Sequence, residues 1–241
     1  MSPPVATIVY DPPLREGILL RRYQRFLADV ELTDGTRVTA HVPNTGAMTG
    51  CNAPGSRCWV SPATNPRRKL AWTLEIVDAG PALVAVHTGR ANQVARRLLE
   101  GRAIPELATW DRVRREVPLG GSRLDFLLER EGGRPCAVEV KSVTLAEGPL
   151  GLFPDAITAR GTRHLELLAR LAREGRMDTA LLYVVLREDA RAVAPAERID
   201  PAYAEALRAA AAAGVTLLAR GCRVTPREIV PTGPLPVRVD P

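Results

Sequence analysis

The run 179-TALLYVVL-186 carries no charged side chain. A strand that is apolar at successive positions has no face suited to water. It therefore belongs in a sheet covered on both sides, usually a parallel or mixed sheet flanked by helices. The flanking sequence agrees. Upstream, 159-ARGTRHLELLARLAREG-175 sets Leu165, Leu168, Leu171 and Ala172 on one helical face and stops at Gly175. Downstream, Asp200 caps a helix that has Pro201 at its first position and closes at Gly214 before the strand 215-VTLLA-219. Earlier, 91-ANQVARRLLEG-101 has a helical stripe of Val94, Leu98 and Leu99. Three strand-like runs follow it, 110-WDRVRREV-117, 122-SRLDFLLE-129 and 136-CAVEVKSVTL-145, parted by Gly120-Gly121 and Glu131-Gly132-Gly133. From residue 90 the expected order is helix, three strands, helix, strand, helix, strand.

The residues before that point have a different period. Apolar runs at 17-GILLRRYQRFLADVEL-32, 37-RVTAHV-42, 57-RCWVS-61, 70-LAWTLEIV-77 and 82-ALVAVH-87 are separated by Asp34-Gly35, Asn44-Thr45-Gly46, Pro54-Gly55 and Asn65-Pro66. About five short strands punctuated this way predict a small barrel, and an OB-type barrel is the commonest with nucleic-acid associations. The expected fold class is mixed α/β, with an OB-like β-barrel over 1–86 and an αβββαβ domain with a mixed sheet over 87–241. The loop 146–161 is expected to be long and irregular, as lids and binding elements are.

Bulk properties narrow the function only loosely. The chain of 241 residues has a formal net charge of +6, which suits a polyanionic partner. Of 33 Lys and Arg, only Lys69 and Lys141 are lysine, leaving 31 arginines. That pattern equally suits a genome-wide bias toward Arg. Cys51, Cys58, Cys136 and Cys222 form no CxxC pair, which argues against zinc and thioredoxin-like chemistry. The start, MSPPVATIVYDPPLREG, has no secretory h-region, and no run approaches a membrane span. A cytoplasmic protein is expected.

The chemistry concentrates in 137-AVEVKSVTL-145. Side chains alternate along a strand, so Glu139 and Lys141 point to one face while Val138 and Val140 point to the other. Asp125 sits similarly in SRLDFLLE, with Leu124, Phe126 and Leu128 opposite. If these strands are neighbours, two carboxylates and an ammonium meet on one surface of the sheet. Carboxylates held close repel unless a cation intervenes, and Mg²⁺, or Mn²⁺, accepts such oxygen ligands while keeping sites for water and phosphate. Such an ion polarises a phosphodiester and acidifies a bound water. Asp125 and Glu139 are the candidate metal ligands, and Lys141 the group that orients the water or meets charge on phosphate. A compact ammonium suits that role where a guanidinium fork does not. The competing reading is an ion-paired, solvent-facing strand surface.

The arrangement of Asp125 with Glu139-x-Lys141 resembles the PD-(D/E)xK restriction-endonuclease-like superfamily. More specifically, the chain resembles the sugar fermentation stimulation protein A family (SfsA) through 21-RRYQRFLADVEL-32, 41-HVPNTGAMTGC-51, 65-NPRRKLAWTLEI-76, 122-SRLDFLLE-129, 138-VEVKSVTLAEG-148 and 153-FPDAITARGTRHLELL-168. The resemblance implies an N-terminal OB-like domain, a C-terminal nuclease-like domain, and DNA binding without marked sequence preference, in proteins described as regulators of sugar metabolism. Carried over by position, Asp125, Glu139 and Lys141 match the superfamily's metal ligands and lysine. Leu124 stands where the superfamily has proline. Pro154-Asp155 follows the E-x-K strand and does not supply it.

Further candidates for nucleic-acid contact are Asn44 and Thr45 in the turn-rich barrel loop, the basic cluster Arg67, Arg68 and Lys69, and Arg160 with His164 at the start of the helix after the site. Tyr23, Phe26, Trp59 and Trp72 are candidate stacking platforms, with burial in the core as the competing role. Asp155 is read either as a further carboxylate of the site or as a turn cap. DNA is the expected partner, with RNA open. Three readings remain: a metal-dependent phosphodiesterase, a non-catalytic DNA-binding regulator whose nuclease-like domain only docks a phosphate backbone, and a purely structural two-domain scaffold that owes its basicity to genome bias. Oligomeric state is not legible.

Overall fold

A computed structural model describes residues 6–65, 67–119 and 121–239. Pro66 of the expected Asn65-Pro66 turn and Gly120 of the expected Gly120-Gly121 turn lie outside the described residues. The strands are β1 (Ile8–Val9), β2 (Arg15–Tyr23), β3 (Leu27–Leu32), β4 (Arg37–His41), β5 (Arg57–Pro62), β6 (Trp72–Asp78), β7 (Leu83–Ala85), β8 (Arg112–Leu119), β9 (Ser122–Glu129), β10 (Cys136–Val143), β11 (Leu145–Glu147), β12 (Leu150–Phe153), β13 (Asp178–Val185), β14 (Ala192–Pro195), β15 (Thr216–Val224) and β16 (Glu228–Pro234). The helices are α1 (Gly89–Glu100), α2 (Ala159–Glu174) and α3 (Pro201–Ala212).

The N-terminal unit is a closed barrel of five strands. β2 pairs with β3, β3 with β4, β4 with β6 in parallel, β6 with β5, and β5 returns to β2. Closure removes the free sheet edges. β7 adds to β6 outside the ring. The run 17–32 is two strands and not one, because Gln24 and Arg25 turn the chain at positive φ (49° and 62°). No Gly or Asn announces that hairpin. Arg22 supports it instead, donating to the carbonyls of Arg25, Asn44, Gly46 and Ala47.

The C-terminal unit is built on a seven-stranded mixed sheet in the order β1-β16-β15-β13-β10-β9-β8. The uncharged run is β13, at the centre of that sheet, parallel to β10 on one side and to β15 on the other. α1 covers one face, with Ala91, Val94 and Leu98 packed against Val138, Val140 and Leu182. α2 and α3 cover the other, with Leu165, Leu168 and Leu207 against Leu181 and Val185. Thr158 caps α2 by accepting from the Gly161 N–H, and Asp200 caps α3 by accepting from Tyr203. Asp200 also accepts from the Thr158 N–H, which ties the two helix starts together.

Three features depart from the sequence reading. Ile8–Val9 lies in the seven-stranded sheet, paired with Glu228–Ile229, and not in the barrel. Residues 146–161 are not one irregular loop: β11 and β12 form a hairpin that pairs with β14 in a small three-stranded sheet. The signal was Gly148-Pro149, and Gly148 has φ 54°. Finally, Leu124 does not share a face with Phe126 and Leu128. It packs on the α2 side, whereas they pack on the α1 side.

Barrel and sheet share a core. Trp59, Ile76 and Ala85 belong to the same buried cluster as α1. Arg90 in the first turn of α1 forms a bidentate ion pair with Glu75 of β6, with bonds of 2.9 and 2.7 Å, and Ser61 also donates to Glu75. Thr88 donates to the carbonyl of Pro43. Asp155 accepts from the Met48 N–H at 2.9 Å. Gly46 packs against the Asp155 carboxylate so closely that a Cβ there would sit 2.1 Å from an oxygen.

Candidate active site

The site begins where a ladder stops. β9 and β10 pair antiparallel through Cys136↔Leu128, Ala137↔Leu127 and Val138↔Phe126. The next residues in that register are Asp125 and Glu139, and there the strands part. The Val140 N–H is left without a ladder partner, and the Asp125 carboxylate takes it at 2.8 Å. On the other side of β9 the β8 pairing is interrupted at the same residue, Asp125, opposite Glu116 at φ 54°, and Leu124 and Phe126 on either side of the break pack on different faces.

Each carboxylate is then held from a different side of the sheet. Asn92, in the first turn of α1, donates to Asp125 Oδ1 at 3.0 Å. Glu139 Oε1 accepts from Lys141 Nζ at 2.7 Å and from His164 Nδ1 on α2. Arg160 Nε donates to His164 Nε2, so the ring proton stands on Nδ1, facing Glu139. The other oxygen, Glu139 Oε2, is buried without a hydrogen-bond partner. Glu139 and Lys141 share the α2 face, since their register partners Leu181 and Tyr183 both pack there. The expectation of one common sheet surface is thus corrected: Asp125 joins the pair across the gap between splayed strands.

The two carboxylates are biased in opposite directions. Burial, and then the charge of Glu139, raise the Asp125 pKa above its ordinary 3.8. Burial also pushes Glu139 upward, yet the His164 hydrogen bond and Lys141 outweigh it and hold the group below its ordinary value. Glu139 is the fixed anion and Asp125 the one that gains most from a cation.

Around them lies a cleft of about 690 Å³ between sheet and barrel. Thr45, Gly46 and Arg25 of the barrel form one wall, and Asp155, Ile157 and Arg160 another. Among the expected contact residues, Thr45 is exposed on this cleft, Arg160 lines it, and His164 does not line it but bonds two residues that do, Glu139 and Arg160. Asn44 lines the cleft as well but is 4% exposed: its amide donates to the Val86 carbonyl and its oxygen accepts from the Gly46 N–H, so its side chain also shapes the loop. Arg67, Arg68 and Lys69 are exposed in the β5–β6 loop but do not line the cleft. Arg68 bonds Thr73 and borders a separate pocket beside Tyr10 and Arg90. Asp155 places its carboxylate in a wall of the cleft and does not cap a turn; through the Met48 N–H it clasps the barrel. Of the four stacking candidates, Trp59 is core and Phe26 is the exposed one. Asn92 escapes a reading of the sequence, because a lone Asn in an amphipathic helix has no signature until Asp125 is placed beside it.

The residues fit a hard divalent cation. Asp125 and Glu139 Oε2 are oxygen donors, and an unpartnered buried carboxylate oxygen is costly unless a cation meets it. No group of three or more His, Cys, Asp and Glu side chains placed to hold a metal occurs among the described residues. The rest of a coordination shell would come from water or phosphate, as Mg²⁺ prefers.

A closed five-strand barrel followed by a sheet whose acid, acid and lysine gather at a ladder's end defines an OB domain fused to a restriction-endonuclease-like domain. Known proteins share both halves. Residues 20–86 match the SfsA N-terminal OB domain and residues 89–228 the sugar fermentation stimulation protein RE domain. The chain is 52% identical over 227 residues to a sugar fermentation stimulation protein homologue of Geobacter metallireducens, covering 93% of this chain and 97% of that one. It is 51% identical over 225 residues to one of Thioalkalivibrio sulfidiphilus, covering 92% and 94%. The solved structure of Pyrococcus furiosus SfsA in complex with Ca²⁺ superposes with a TM-score of 0.88 at 29% identity, covering 96% of this chain and 98% of that one. The chain belongs to the sugar fermentation stimulation protein (SfsA) family. No helix among the described residues is long and apolar enough to cross a membrane.

Proposed function

We propose that this protein is a divalent-metal-dependent phosphodiesterase acting on nucleic acid, DNA in the first instance, with its reacting centre at Asp125, Glu139 and Lys141. The observation that carries the reading is the unpartnered, buried Glu139 Oε2 beside an Asp125 whose proton affinity is raised. That pair has the chemistry of a cation site held open. The Pyrococcus furiosus relative was solved in complex with Ca²⁺, which supports an affinity for a hard divalent ion in this chain as well.

Mg²⁺ or Mn²⁺ held by Asp125 and Glu139 would supply Lewis acidity at a phosphate and an acidified water. The chain's own groups do the rest. Asn92 and the Val140 N–H orient the Asp125 carboxylate. His164, with its tautomer set by Arg160, holds Glu139 Oε1 and leaves Oε2 without a protein partner. Lys141 keeps its ammonium at Glu139 Oε1, where it neutralises charge and has further N–H bonds for a water or a phosphate oxygen. Arg160 and Arg25 on the cleft walls give the polyanion its counter-charge.

The test is cleavage of end-labelled single- and double-stranded DNA and RNA in Mg²⁺, Mn²⁺ or EDTA, by wild type and Lys141→Ala. Metal-dependent products that vanish in the variant are expected. Intact substrate under every condition, with binding retained, refutes hydrolysis and leaves a docking domain.

A further inference from the structure

The cleft bears one exposed apolar side chain that a cation-and-phosphate site does not need, and a second stands beside one of its lining residues in the chain. Among the described residues the exposed large hydrophobics are Val9, Ile18, Phe26 and Ile157; of these four Ile157 lines the cleft, and Phe26 is next in the chain to Arg25, which does. Ile157 is 80% exposed and lines it. Phe26 is 47% exposed and follows Arg25, which lines it from the β2–β3 turn. A single exposed apolar residue on a loose loop needs no explanation. These two are on anchored backbone. The Ile157 segment is pinned on one side by Asp155 to the Met48 N–H and on the other by Thr158, whose N–H donates to Asp200 and whose hydroxyl caps α2. The Phe26 carbonyl accepts from the Val42 N–H, and Arg22 straps the preceding carbonyl to the 44–47 wall.

We propose that the cleft takes an unpaired polynucleotide strand, with Phe26 as a stacking platform for one base and Ile157 packed against another, while Arg25 and Arg160 meet phosphates. This rests on the nucleic-acid reading above and narrows its substrate to single strands or frayed ends. A paired duplex keeps its base faces inside the stack and offers a protein only groove edges, sugars and phosphates. It has nothing for Phe26 or Ile157. An unpaired strand exposes a π face at every nucleotide, so the combination of basic walls and aromatic or apolar rim suits it without sequence preference. The depth of the site points the same way. Glu139 is 3% exposed on the cleft floor, and a flexible strand can lower one phosphate to it where a rigid helix cannot.

The experiment is fluorescence anisotropy at fixed salt in EDTA, so that binding is read without cleavage. Labelled 20-mers are used as single-stranded DNA, single-stranded RNA and blunt DNA duplex, against wild type, Phe26→Ala, Phe26→Trp and Ile157→Ser. Wild type is expected to bind single strands at least tenfold tighter than duplex. Phe26→Ala should lose roughly tenfold or more of single-strand affinity, the cost of one lost stack. Phe26→Trp should retain it, Ile157→Ser should weaken it, and duplex binding should stay within twofold throughout. DNA and RNA arms that behave alike support base-face recognition. Duplex bound as tightly as single strand, or single-strand affinity unmoved in both Phe26→Ala and Ile157→Ser, overturns this inference while leaving a nucleic-acid site standing. No binding to any polynucleotide overturns both.

Discussion

Arg90→Ala should be among the most damaging single substitutions in the chain, although Arg90 touches no reacting group. The side chain of Glu75 is 2% exposed and that of Arg90 is 18% exposed. Removing Arg90 leaves a carboxylate inside the shared core with the Ser61 hydroxyl still donating to it. Breaking a buried pair by deleting one partner costs about 3–5 kcal/mol, mostly from the uncompensated charge left behind. For a chain of this size each kcal/mol moves Tm by about 2–4 °C, so a fall of roughly 10 °C is expected. The double variant Arg90→Ala/Glu75→Gln removes that charge while leaving an oxygen for Ser61, and should recover at least half the loss. Urea unfolding followed by tryptophan fluorescence reads this well, since Trp59 and Trp110 sit in the same cluster as α1. Because Arg90 and Asn92 occupy the same first turn, the single variant should also weaken Mn²⁺ binding at Asp125. A loss under about 1 kcal/mol, or a double variant no more stable than Arg90→Ala, would refute the argument from a stranded charge.

Two further outcomes follow from the site. Cation affinity should rise with pH: Asp125 must lose its proton to bind metal, and its raised pKa carries that requirement above the ordinary 3.8. The sign for stability is opposite. The metal-free folded state holds this proton more tightly than the unfolded chain, so stability falls as pH rises from 3.8 to the raised value. Titration calorimetry with Mn²⁺ across pH checks the first, and Asp125→Asn should abolish both binding and its pH dependence; pH-independent binding in wild type would refute it. Gly46→Ala should cost about 1–2 kcal/mol, because its Cβ displaces the Asp155 carboxylate from the Met48 N–H. Calorimetry in an Asp155→Ala background should show no such cost, and an equal cost there would mean that the clash is not with Asp155.

How much of this was legible in the sequence varies by element. β13, α2 and α3 were plain because each carries a strong local signal: an uncharged run, a leucine stripe ending in Gly175 at φ 65°, and an Asp-Pro start. Lys141 stood out as one of two lysines among 33 basic residues. The β2–β3 hairpin was hidden because its turn is made by Gln24 and Arg25, and the Arg22 side chain that supports it does so by bridging to the carbonyls of the distant 44–47 loop. Likewise β1 and β14 are short edge pieces with no period of their own.

The sequence alone determined which residues have chemistry to offer, since residue type and alternation are local: Glu139 and Lys141 on one strand face, Asp125 one strand earlier, and a helix after them bearing Arg160 and His164. Only the tertiary structure decided what that chemistry amounts to. Where the β9–β10 ladder ends, which carboxylate oxygen is left bare, that Asn92 reaches Asp125 from one side of the sheet while His164 reaches Glu139 from the other, and that Asp155 serves as a clasp, are all matters of contact between residues far apart in the chain. Such contacts are set by packing, and packing is satisfied only once the barrel and the sheet share one core.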